Sequence, residues 1–157
     1  MLLEGSCHCQ AIRFTVQSRH PYPFNICYCS ICRKTAGGGG FTINLNAEFQ
    51  TLTIDGAENI TRFHARMSDG QPSNAERSFC KLCGTSLWLY DSRWPTQIHP
   101  QAAVIDTPLP VPPEHTHLML ASKPGWVEPC FRNGDKQFDE YPDESIAAWH
   151  QRLGLES

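Results

Sequence analysis

An all-β fold closed by one short helix is what this sequence predicts, and three observations carry the prediction. Apolar and polar residues alternate in several short runs, helical spacing occurs clearly only near the carboxy end, and seven of the eight cysteines fall into three tight clusters. Alternation with period two marks a strand with one face in the core, because successive side chains point to opposite faces. Ile12, Phe14 and Val16 alternate with Arg13, Thr15 and Gln17 and give the first such strand. Phe41, Ile43 and Leu45 repeat the pattern, and Leu87 with Leu89 and the stretch from Leu118 to Leu120 suggest further strands of an antiparallel sheet. From Ser145 to Leu153 the period changes: Ile146, Trp149 and Leu153 stand at i, i+3 and i+7 behind Asp143 and Glu144, whose charges suit a helix start.

Length and composition fit one domain spanning residues 1–157, since 157 residues can bury an adequate core and 40% hydrophobic content is ordinary for a globular chain. A formal charge of −3 provides no basic field for a nucleic-acid backbone, so no nucleic-acid partner is expected. No apolar run approaches membrane-spanning length, and no membrane partner is expected either. Met1 to Ser6 contains no basic stretch followed by an apolar one, and the expected location is the cytoplasm.

The cysteines form a C-x-C (Cys7, Cys9), a C-x-C-x-x-C (Cys27, Cys29, Cys32) and a C-x-x-C followed by Gly84 (Cys80, Cys83). In a strand, residues i and i+2 share a face, so the sulfurs of a C-x-C can reach one ion; a C-x-x-C needs a tight turn, and Gly84 can supply its positive φ. Zn–S bonds of about 2.3 Å place ligand sulfurs roughly 3.8 Å apart, a spacing that two short pairs from distant segments can meet. An even cysteine count also allows a disulfide framework. Near neighbours satisfy the Cα separations of a disulfide poorly, however, and a cytoplasmic chain would keep its thiols reduced. Seven divides into four and three, which suggests one closed structural zinc and one catalytic zinc with an exchangeable fourth position, two ions per chain.

The order Gly5-Ser-Cys7-His-Cys9, Cys27-Tyr-Cys29-Ser-Ile-Cys32-Arg33-Lys34 and Phe79-Cys80-Lys-Leu-Cys83-Gly84 resembles the glutathione-dependent formaldehyde-activating enzymes and their centromere-protein-V-like relatives. His117, the segment from Ser122 to Trp126 and Phe138 are similar to the same family's carboxy-terminal pattern, so the resemblance spans nearly the whole chain. It implies a β-tent fold of antiparallel sheets pinned by zinc. It further implies that Cys7, Cys9, Cys80 and Cys83 hold the structural ion and that Cys27, Cys29 and Cys32 hold the catalytic one. The implied activity is addition of the glutathione thiol to formaldehyde, giving S-hydroxymethylglutathione, a carbon–sulfur lyase reaction or its reverse. An ion already held by three thiolates is a blunted Lewis acid, so binding and ionising the thiol is the expected role. Arg33 and Lys34 stand beside the last ligand and would attract an anionic tripeptide, or simply form a solvated basic pair. The alternative from another class is a zinc-stabilised glutathione carrier or protein-interaction module without turnover.

Other features read as structural. Gly37 to Gly40 lacks the Lys-Ser or Lys-Thr of a phosphate loop and reads as a flexible connector, with close backbone approach to a ligand as the other option. Pro108 to Pro113 reads as a stiff surface loop. Cys130 stands alone and is expected to be buried. His8, His64, His99 and His115 are expected to serve packing or the surface, as is His117, for which a general base or a displaced-water ligand is the functional option.

Overall fold

The computed structural model describes residues 1–155. The strands in chain order are β1 (Leu2–Ser6), β2 (Arg13–Gln17), β3 (Phe24–Cys27), β4 (Thr42–Asn44), β5 (Ala47–Glu48), β6 (Thr53–Asp55), β7 (Ile60–Arg66), β8 (Pro72–Cys80), β9 (Ser86–Asp91), β10 (Gln97–Pro100), β11 (His115–Leu118) and β12 (Lys136–Gln137). Two short α-helices, α1 (Ser30–Thr35) and α2 (Ile146–Arg152), complete the regular structure together with four single-turn 3₁₀ segments.

Three sheets form, in the orders β1-β2-β6, β5-β10-β9-β8-β7 and β12-β11-β3-β4. The fold is the mainly β one expected, and every pairing in the first two sheets is antiparallel. The third sheet is mixed: β11 runs parallel to both β3 and β12, while β3 and β4 pair antiparallel. No hairpin can join parallel neighbours, and β3 and β11 meet only after the chain has built the whole second sheet between them.

The main core lies between the first two sheets. Leu3, Phe14 and Val16 meet Leu87, Trp88 and Ile98, and the Phe14 ring stands edge-on to Trp88 with centroids 5.0 Å apart. Phe14 and Val16 are buried while Arg13 and Gln17 are exposed, as their alternation predicted. In β4 the polar residues go inward: Thr42 and Asn44 are buried and Ile43 only half so. Gln101 makes this tolerable, because Thr42 Oγ1 donates to its side-chain oxygen and its Nε2 donates to Asn44 Oδ1 at 3.0 Å. Leu118 ends β11, and Leu120 falls in the 3₁₀ turn that follows it.

The terminal helix begins where expected, with the Ser145 hydroxyl accepting from the Ala148 amide at 3.1 Å and Trp149 buried. The glycine run is a tight turn more than a loose connector: the Gly40 amide donates to the Gly37 carbonyl at 2.9 Å. At Gly40, φ is +87° and a Cβ would stand 2.3 Å from Val127 Cγ2, so only glycine fits. Cys130 departs from expectation. It is exposed, in an irregular segment outside every sheet.

Candidate metal centres

The first centre gathers Cys7, Cys9, Cys80 and Cys83, whose sulfurs all lie within 4.8 Å of one another. The C-x-C pair does not lie on a strand. It occupies the turn between β1 and β2, where the Cys7 amide donates to the Ile12 carbonyl at 3.0 Å and the Gln10 amide to the Cys7 carbonyl at 2.9 Å. A turn brings the two sulfurs to 3.5 Å, closer than the i, i+2 spacing of an extended strand would. Cys80 ends β8, and the turn to β9 closes with the Gly84 amide on the Cys80 carbonyl at 2.8 Å. Gly84 has φ +76°, the conformation its place after the C-x-x-C predicted. Cys9 and Cys80 sulfurs stand 3.7 Å apart, and these separations are near the roughly 3.8 Å edge of a ZnS₄ tetrahedron and far beyond a disulfide bond.

Proton affinities within this cluster diverge. The Thr85 hydroxyl, donating to the Cys83 sulfur at 3.1 Å, and the Thr85 amide lower Cys83 to about 5. The Ala11 amide pulls Cys9 down, yet the thiol of Cys7, burial and the other two sulfurs outweigh it and push Cys9 up to about 12. Sulfurs this close cannot all ionise unless a cation joins them, so the donor set fits a soft divalent metal.

The second centre comes from one junction. Cys27 is the last residue of β3, Cys29 caps α1 and Cys32 lies inside that helix. The helix was absent from the sequence-based expectation, since six residues are too few to show a period. It makes the C-x-x-C geometry: the Cys32 amide donates to the Cys29 sulfur at 3.3 Å, as a cap does. All three sulfurs lie within 4.8 Å, with Cys27 and Cys32 buried and Cys29 partly accessible. Hydrogen bonds from the Cys27 and Cys32 thiols hold Cys29 far below the usual thiol range, and the same sharing pushes Cys27 far above it. Arg77 of β8 donates from Nη2 to the Cys32 sulfur at 3.6 Å. Its guanidinium is buried, and Nη1 has no partner among the described residues. Sequence alone gave no sign of this, because a lone arginine in an alternating run reads as surface.

The third sheet has two faces, and they divide the remaining polar groups. Register places Thr42 and Leu118 beside Cys27, and Asn44 and Thr116 beside Asn25, so these six residues share one face. Ile26 and His117 point to the other. There Tyr28 Oη lies 3.0 Å from His117 Nδ1, and His117 Nε2 and His115 Nδ1 each lie 3.3 Å from Asp135 Oδ2. Burial, only partly offset by Asp135, holds His117 below the ordinary imidazole value. The neutral ring therefore donates from Nε2 to Asp135 and accepts from Tyr28 at Nδ1. His117 is accordingly a buried structural group across the sheet from the Cys27 sulfur, in keeping with the packing role. His115, His117 and Asp135 are close enough to hold a cation, but the hydrogen bonds already satisfy them. His8 is exposed on the first turn.

Fold and sites together define a class: a mainly β protein with two separate clusters of cysteine sulfurs. The chain belongs to the glutathione-dependent formaldehyde-activating enzyme family, whose pattern it matches over residues 2–121. A Halomonas elongata protein named "Putative glutathione-dependent formaldehyde-activating enzyme" is 60% identical over 156 residues, covering 99% of each chain. The crystal structure of a Rhodobacter sphaeroides protein superposes with a TM-score of 0.54 at 26% identity, covering 68% of this chain and 91% of that one. No helix among the described residues is long and apolar enough to cross a membrane.

Proposed function

We propose that the chain is a zinc-dependent enzyme of the carbon–sulfur lyase type, which joins a small thiol to a carbonyl carbon or splits the adduct. Glutathione and formaldehyde are the pair suggested by the family's description and by the name of the Halomonas elongata relative. Cys7, Cys9, Cys80 and Cys83 are the ligands of a structural zinc, and Cys27, Cys29 and Cys32 those of a catalytic one. The observation that carries the reading is the unequal donor count: four sulfurs converge in one place and three in the other. Zinc held by Cys27, Cys29 and Cys32 would supply a fourth position for a thiol and lower that thiol's pKa toward neutral.

The protein's own residues arrange the rest. Arg77 offsets part of the negative charge that three thiolates collect, and the Cys32 amide fixes the direction of the Cys29 sulfur. Arg33 and Lys34 edge a groove of about 440 Å³ with Gly37, Gly38 and Thr85, and meet the carboxylates of a tripeptide there. Free thiols suit a reducing compartment, and we place the chain in the cytoplasm.

The test is the approach to equilibrium among glutathione, formaldehyde and adduct, followed by exchange NMR at several protein concentrations. A rate that rises with zinc-loaded protein and disappears in Cys29→Ser supports the enzyme. A carrier would only deplete free ligand in proportion to protein, and that outcome would sink the lyase reading.

A further inference from the structure

The three-thiol centre has a neighbour for which formaldehyde has no use. A pocket of about 480 Å³ opens on the face of the third sheet that carries Cys27. Its floor includes Asn25, Asn44 and Thr116, the residues that share this face with the Cys27 sulfur. Leu118 lies both in the pocket wall and against Cys27 and Cys32. The pocket therefore shares a sheet face with the Cys27 sulfur, and Leu118 touches both.

Its walls are mostly hydrocarbon: Trp94, Phe138 and Tyr141 from loops, Ile146 and Trp149 from α2. Among the described residues no lysine or arginine lines it, and the one carboxylate that does, Glu144, is taken by Arg152 at 2.7 and 2.8 Å. A one-carbon aldehyde would leave such a space almost wholly to water, while the carboxylates of glutathione would find no cation in it. The polar floor is chosen more finely. His99 Nδ1 donates to the Leu45 carbonyl at 3.0 Å, leaving Nε2 as an acceptor, and burial holds the ring below its ordinary pKa. Asn44 accepts from Gln101 through Oδ1, leaving its N–H groups as donors. A donor from the third sheet and an acceptor from β10 in the lining of an apolar pocket match a carbonyl oxygen that becomes a hydroxyl.

We propose that this pocket takes the apolar body of the carbonyl substrate, which is an alkyl or aromatic aldehyde larger than formaldehyde. The proposal rests on the thiol–carbonyl reading above. In the reaction the sulfur of the thiol bonds to the aldehyde carbon, the carbonyl π bond breaks, and the proton that left sulfur ends on oxygen as the hydroxyl of a hemithioacetal. The reverse splits the same bond, and no electrons are gained or lost.

The experiment compares formaldehyde with phenylacetaldehyde in the glutathione exchange assay on zinc-loaded full-length protein, and titrates the unreactive analogue 2-phenylethanol against tryptophan fluorescence. Burial of the phenyl group should make the acceleration for phenylacetaldehyde roughly tenfold greater than for formaldehyde. Ala147→Trp, an exposed α2 position at the pocket edge, should bring that ratio close to one and abolish saturable 2-phenylethanol binding. Acceleration of formaldehyde alone, with no saturable binding of 2-phenylethanol, would overturn this proposal and leave the lyase reading standing. Saturable binding with neither aldehyde accelerated would instead remove the lyase reading, and the aldehyde assignment with it.

Discussion

The two thiol clusters use the same residue type for opposite structural ends. Cys7 and Cys80 lie in the main core at the ends of β1 and β8, strands of two different sheets, so whatever joins them joins the sheets. Cys27, Cys29 and Cys32 lie within one strand–helix junction, so an ion joining them closes only a short loop. Closing the first cluster spans a long loop and removes much unfolded-chain entropy; closing the second removes little. On the function proposed above, metal at the first would therefore be part of the folding free energy, and metal at the second would be available to chemistry.

The largest effect that would test this contrast is on stability. Cys80→Ser should leave little folded protein, because structural zinc binding contributes on the order of 10 kcal/mol, comparable with the whole stability of a domain. Cys29→Ser should melt within a few degrees of the parent, followed by circular dichroism, while losing thiol binding. Melts damaged in the reverse order would show that the roles are interchanged.

Metal removal gives the next contrast. Elemental analysis should find two zinc ions per chain, and a mild chelator should take the ion at Cys27, Cys29 and Cys32 first, since an exchangeable fourth position admits the competitor. In the cobalt-substituted protein, glutathione should then strengthen the sulfur-to-metal charge-transfer band saturably. A spectrum unmoved by thiol would mean that the site is closed.

Arg77 sharpens the comparison within one centre. Arg77→Met keeps most of the buried volume and removes the donor to Cys32, and should weaken zinc retention at the three-thiol site by roughly 10–100-fold, read by competition with a chromogenic chelator. Retention at the four-thiol site should not change. Equal weakening at both would assign Arg77 to general packing.

The smallest effect concerns a region with neither cluster. Burial opposes ionisation of Asp135, but the amides of His115 and Arg132, at 2.7 and 2.8 Å, and the His117 ring outweigh it and hold the carboxyl well below its ordinary value. A folded pKa below the unfolded value of about 3.9 stabilises the fold above that pH, and the contribution is lost as pH falls below it. Asp135→Asn should cost about 1–3 kcal/mol at pH 7 and narrow its deficit against the parent as the pH falls below about 4, measured by urea unfolding. A deficit constant with pH would show that the carboxylate charge contributes nothing.

Local patterns were legible in the sequence because backbone periodicity reports them directly. Alternation at Ile12, Phe14 and Val16 located β2, Ser145 marked the start of α2, and Gly84 marked the turn at Cys83. The cysteine spacings announced three tight clusters for the same reason: residues two or three apart can only be close together. How they combine was suggested by the count of seven and the family resemblance, and it is the fold that brings Cys7 and Cys9 to Cys80 and Cys83. Tertiary structure decided what those groups face. The parallel pairing of β3 with β11 puts Leu118 beside Cys27 and His117 on the opposite side, and β8 carries Arg77 to Cys32 from far along the chain. Cys130 stays outside every sheet although its type favours burial. A side chain's neighbours along the chain follow from covalent geometry, whereas its neighbours across a sheet depend on which strands find one another, a choice set by the summed burial of the whole core.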